Sequence, residues 1–175
     1  MTQRIKWTDR RFNFDFPAGI YPEVIERIRG TPARLDELLA GLSPETLTTQ
    51  ADGRWSMQEN AGHLLDVESL VSQRIDEYLA CHSTLHAADM SNRRTYAASH
   101  NSVPVTSILK AFRTARHDIV QRLDSFDADI FARAALHPRL NVQMRLVDML
   151  FFQAEHDDYH LARISELKKL LLERQ

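Results

Sequence analysis

The chain has 175 residues, 43% of them hydrophobic, which suffices for one buried core, and a single domain over residues 1–175 is expected. Lys and Arg total 22 against 24 Asp and Glu, so no overall positive field exists to attract nucleic acid. No apolar run approaches the roughly 18 residues of a membrane span and no secretory pattern opens the chain, so a soluble, cytoplasmic protein without a nucleic-acid or membrane partner is expected.

The chain begins with an arm, residues 1–20, in which Arg4, Lys6, Arg10 and Arg11 alternate with Trp7, Phe12, Phe14 and Phe16. Asp9 and Asp15 argue against a mitochondrial presequence, and the aromatics are expected to pack the arm on the domain. Four long windows then show helical rather than strand patterning, which predicts an all-α four-helix bundle. The first runs from about Pro22 to Leu42, with Gly30, Thr31 and Pro32 predicting a kink or break inside it. The second, about 56 to 80, opens on Ser56 followed three residues later by Glu59, a capping box. The lone Cys81 has no second cysteine for a disulfide, a thiolate metal site or a redox pair, and is expected to be a free thiol rather than a nucleophile.

Residues 82 to 103 lack sustained periodicity and predict a long connection, with room for a short helix, that crosses the bundle between helices two and three. A third helix is predicted from about Thr106 to Leu123. The segment "DADIFARAALHPRL" is expected to be a linker with at most one helical turn. The fourth window runs from about Val142 to Leu172, where Met149, Gln153, His156, His160, Ile164 and Leu167 form one seam.

His156 and His160 lie four residues apart, about 40° in direction and about 6 Å along a helix axis, so their imidazoles can converge on one ion. Such a pair is also common by chance on a solvated face. Its apolar neighbours along the seam set it apart, because unpartnered imidazoles facing a core each cost about 1 to 3 kcal/mol. His63 lies on the face shared by Val67, Leu70 and Arg74, where it can be a third ligand or a core histidine bonded to a carbonyl. If helices two and four pack side by side, the three imidazoles meet inside the bundle and leave a coordination position open. His82, His86, His100, His117 and His137 are weaker candidates, placed at helix ends, in the connection or on polar faces. "HDDYH" approximates the zincin motif, but Asp157 stands where a glutamate is needed and no third zincin ligand follows.

Two stretches together carry a family resemblance. "WSMQENAGHLLDVE" on helix two resembles the Trp-Ser-x-x-Glu-x-x-x-His-Leu signature of the DinB/YfiT-like superfamily, and "HDDYH" resembles its closing H-x-x-x-H pair. The resemblance spans nearly the whole chain. It implies a four-helix bundle with a long crossover after helix two, a divalent metal such as zinc or nickel held by His63, His156 and His160, and a homodimer. Arg163 departs from the glutamine found in many relatives, which implies different chemistry beside the ligands.

The resemblance also implies an activity. Characterised relatives resemble thiol-dependent transferases that use bacillithiol, mycothiol or glutathione on an electrophilic substrate, and others are thought to be hydrolases. The leading expectation is a metal-dependent thiol S-transferase with an external thiol. The alternatives are a hydrolase using metal-bound hydroxide, with Asp66 or Asp157 orienting the centre, and a non-catalytic, stress-related binding or dimeric interaction protein. Catalytic residues beyond the ligands are not specified by the sequence.

Overall fold

The computed structural model describes residues 4–173; the first three residues of the expected arm and the last two of the chain lie outside that range. Helices α1 (Tyr21–Arg29) and α2 (Thr31–Leu39) are the two halves of the expected first helix. The chain breaks at Gly30, and Pro32 falls in the first turn of α2, where its missing N–H removes no helical hydrogen bond. A short helix α3 (Pro44–Thr48) leads to α4 (Met57–Leu79). The capping box forms as expected: the Glu59 N–H donates to Ser56 Oγ at 3.0 Å, and the Ser56 N–H donates to Glu59 Oε2 at 2.8 Å.

The crossover from α4 to α6 (Val105–Asp124) contains one short helix, α5 (Arg93–Ala98). Asn92 and Ser99 flank α5 at φ of 54° and 49°, a left-handed conformation that sharpens the turns at both ends. The crossover lies directly on α4 at Gly62, where any Cβ would overlap the His100 ring.

The fourth helix, α7, runs over Leu146–Leu172, four residues shorter at its start than the sequence pattern predicts. Residues Val142–Arg145 form strand β2 instead, paired antiparallel with β1 (Ala134–His137) in the register Ala134↔Arg145 and His137↔Val142. The expected linker is therefore a 3-10 turn, Ala128–Ala132, followed by half of a hairpin. Asn141 closes that hairpin at φ 53°. The Arg145 N–H then donates to the Asp148 carboxylate at 2.7 Å and starts α7. The crossover adds to the hairpin edge, with Leu136 N–H bonded to Ser83 O at 2.9 Å and Leu85 N–H to Leu136 O at 3.0 Å. No helix among the described residues is long and apolar enough to cross a membrane.

Helix α4 packs on both α6 and α7, and α1 packs on α7. Two apolar clusters result, one around Ile28, Ile75, Tyr78 and Phe131, the other around Leu35, Leu64, Phe112 and Ile164. Buried charged residues of the three long helices also meet in the interior: Glu68 on α4, Arg116 on α6 and Asp157 on α7. Arg116 donates to Glu68 at 2.7 and 2.9 Å, to Asp157 at 2.6 Å and to the Ile28 carbonyl at 2.8 Å. Thr31 and Gln153 complete the Asp157 carboxylate at 2.8 and 2.9 Å. From residue 7 onward the arm's aromatics lie along α7, with Trp7 4.9 Å and Phe12 4.8 Å from the Phe152 ring.

Because both carboxylates are buried, removing their shared cation leaves uncompensated charge in the interior. Arg116→Met is expected to lower the unfolding free energy by about 3 kcal/mol or more in urea denaturation at neutral pH.

Candidate metal centre

Side-by-side packing of α4 and α7 brings His63 against His156 and His160. Ring centroids are 5.3 Å apart for His63 and His156, 4.8 Å for His63 and His160, and 4.6 Å for His156 and His160. One nitrogen from each ring belongs to a set whose members all lie within 4.8 Å of one another. Zinc-to-nitrogen bonds of about 2.0 to 2.1 Å in a tetrahedron place ligand nitrogens roughly 3.4 Å apart. The His156 and His160 Nε2 atoms, at 3.2 Å, already have that spacing, and a His63 nitrogen lies within 4.8 Å of the set.

The second nitrogens decide what the first can do. The Asn60 amide N–H₂ donates to the Ser56 carbonyl at 2.7 Å, which turns its Oδ1 toward His160 Nδ1 at 2.8 Å. His160 Nδ1 therefore carries the proton and Nε2 the lone pair. His63 Nδ1 lies 3.0 Å from the Thr95 hydroxyl on α5, which can accept its proton and so leave Nε2 with the lone pair. His156 Nδ1 is buried and has no partner among the described residues. Two lone pairs do not rest against each other at 3.2 Å, so a proton or a cation lies between His156 and His160. A divalent ion satisfies that requirement and fits the all-nitrogen donor set.

All three imidazoles are neutral at pH 7. Burial brings His63 down from 6.5 to about 3, with repulsion from His156 and His100 adding to it. Burial likewise brings His156 to about 4 and drives His160 well below the ordinary range. Ligation by neutral imidazole needs no further deprotonation.

The centre lies on a cleft of about 1470 Å³ lined by α4, α5, α7, the arm and the hairpin. Trp55 is 4.8 Å from the His63 ring and 6.2 Å from that of His160, and Trp7 stands 5.1 Å from His156. Val67, Leu70 and Arg74, the face expected to carry His63, also line it.

The other sequence candidates are dispersed. Asp157 faces Arg116 in the core and bonds no histidine of the centre. Asp66 lines the cleft and accepts from His100 Nε2 at 2.9 Å, with Arg94 at 3.6 Å. Arg163 reaches the cleft, with Nη1 3.5 Å from Glu166 and a buried Nη2 lacking a partner among the described residues. His100, in the crossover, and His137, at the end of β1, are buried, while His82, His86 and His117 are exposed. Cys81 is exposed and does not line the cleft. Asn60 and Thr95 are contacts of the candidate centre that sequence reasoning missed. Asn60, one turn before His63 on the capped helix, could have been found by helical spacing; Thr95, inside an aperiodic connection, offered no signal.

The fold and the clustered histidines define a four-helix-bundle protein with a candidate metal centre. The profile of the DinB superfamily matches residues 27–164, and the chain belongs to that superfamily. Among solved structures it is similar to YfiT from Bacillus subtilis, a probable metal-dependent hydrolase with an unusual four-helix bundle topology. The TM-score is 0.78 at 18% identity, covering 93% of both chains. It is also similar to the mycothiol-dependent maleylpyruvate isomerase, at TM-score 0.64 and 12% identity over 86% of this chain and 61% of that one. A search of curated proteins found no match.

The depressed histidines set an acid limit on the metal-free protein. Between about pH 6.5 and 4 the unfolded chain binds protons that the folded imidazoles refuse, so stability falls as pH drops through that window. Each such group contributes a slope of about 1.4 kcal/mol per pH unit. Urea titrations of EDTA-treated protein are expected to show this decline, and His63→Gln to flatten it.

Proposed function

We propose that the protein is a metal-dependent transferase that joins an external low-molecular-weight thiol to an electrophilic substrate, with His63, His156 and His160 holding a divalent ion such as zinc or nickel. The observation that carries this reading is the convergence of three neutral imidazoles on a cleft of about 1470 Å³. Pockets for one small ligand usually span about 300 to 1,000 Å³, so there is room for two reactants. A divalent ion with an open position supplies the activation of a bound thiol or water by lowering its pKa.

The chain's own residues do the rest. Asn60 and Thr95 hold the outer nitrogens of His160 and His63 and so aim the inner ones. Trp55 and Trp7 cover the imidazoles with apolar surface and restrict water. The thiol comes from outside, because Cys81 is exposed and away from the cleft. The structural similarity to a mycothiol-dependent isomerase supports thiol use, and the family resemblance supports assembly as a homodimer.

Hydrolysis is the second reading, favoured by the similarity to YfiT and by Asp66 on the cleft wall beside His100. Purified protein is expected to contain about one equivalent of a divalent ion by elemental analysis, and His63→Ala to lose most of it. Monochlorobimane offered with a panel of thiols is expected to turn over, with EDTA or His160→Ala reducing the rate about 100-fold or more. Turnover only of esters or amides in thiol-free assays would establish hydrolysis instead. Protein with no stoichiometric metal and no turnover would leave a non-catalytic bundle.

A further inference from the structure

Away from the three histidines, the hairpin side of the same cleft carries polar groups that nothing described so far uses. His137, at the end of β1, is 2% exposed. Its Nδ1 accepts the Leu140 N–H at 3.2 Å, so the proton is on Nε2. That Nε2–H is buried and has no acceptor among the described residues, and Arg139 Nη2 is in the same condition. Buried donors without acceptors are rare in folded proteins and call for a partner, an ordered water or a ligand. Both groups rest on Phe152, with the His137 ring 5.4 Å and the Arg139 Cζ 5.5 Å from its centroid.

Arg74 completes the corner. Its Nε and Nη2 donate to the His86 carbonyl at 3.0 and 2.8 Å, and neither Arg74 nor Arg139 forms an ion pair among the described residues. Glu77 is the acidic group nearest in influence to Arg74, and its carboxylate is engaged by the His86 N–H at 2.7 Å and Gln73 at 3.2 Å. Burial, reinforced by Arg74 and Arg139, brings His137 down to about 4 and keeps it a neutral donor. Two guanidinium cations against one carboxylate leave a single positive charge. Arg74, His137, Arg139 and Phe152 all line the cleft, and Phe152 precedes His156 by one turn of α7.

We propose that Arg139 and His137, with Arg74 behind them, bind the carboxylate of a small-molecule acid and hold it about one helical turn from the histidine centre. Two N–H donors without acceptors, on side chains that both lie against Phe152, can each meet an oxygen of a carboxylate, and the residual charge matches a monoanion; a phosphate dianion would leave charge unmet. That the bound acid is a reactant rests on the proposed function, whereas its binding at this corner does not.

The test uses butyrate and inorganic phosphate at constant ionic strength, on protein as purified and after EDTA treatment, followed by ¹⁵N NMR of the His137 ring and by thermal shift. Butyrate is expected to bind saturably in both preparations, to move the His137 Nε2–H resonance, and to bind more strongly than phosphate. Arg139→Gln and, independently, His137→Phe are expected to weaken butyrate at least about tenfold without changing metal content. His63→Ala is expected to lose metal and retain butyrate. Butyrate binding that vanishes with EDTA, that is equal in Arg139→Gln, or that is weaker than phosphate binding overturns the proposal. Absence of metal from the wild type overturns the proposed function and leaves the carboxylate site standing.

Discussion

The guanidinium of Arg116 on α6 is shared between Glu68 on α4 and Asp157 on α7, at 2.7 and 2.6 Å, and all three side chains are buried. Burial pushes the Glu68 carboxyl up, and the two carboxylates push Arg116 up, so the cation persists in the interior. Charges in an apolar interior tolerate little misplacement, because each broken contact leaves a buried ion. The bond pattern therefore fixes how far α4 and α7 slide along each other. Glu68 follows His63 on one helix, and Asp157 adjoins His156 on the other. The axial register that pairs the ions is the register that brings the imidazoles together.

Around that constraint each imidazole is held differently. Asn60, on the capped first turn of α4, sets the ring of His160 across the helix interface. Thr95, in the crossover, sets His63. His156 has an aromatic neighbour in Trp7 of the arm and no polar partner for its second nitrogen among the described residues. Elements far apart in the chain thus meet within one small volume, which is the usual way a bundle builds a site that none of its helices could support alone.

The helices and the clustering of the histidines were legible because they follow from local rules. The Ser56 and Glu59 spacing set the start of α4, Gly30 and Pro32 the break between α1 and α2, and the seam from Met149 to Leu167 the buried face of α7. The hairpin was not legible, since four residues such as "VQMR" carry no usable period and their pairing with Ala134–His137 is a tertiary contact. For the same reason the burial of His137 and His100, which the sequence places in a linker and a connection, was not legible: it comes from elements that pack over them. Asp157 was misplaced because a single position on a helix does not reveal that a guanidinium from α6 will be there to meet it.

The short ladder from Ser83 and Leu85 to Leu136 fastens the start of the crossover to the hairpin. Thr95 lies on one of the segments so joined and His137 on the other, which links the cleft wall at the hairpin to the chain that anchors His63. The contact that orients His63 therefore depends on the hairpin as well as on the crossover that supplies the hydroxyl.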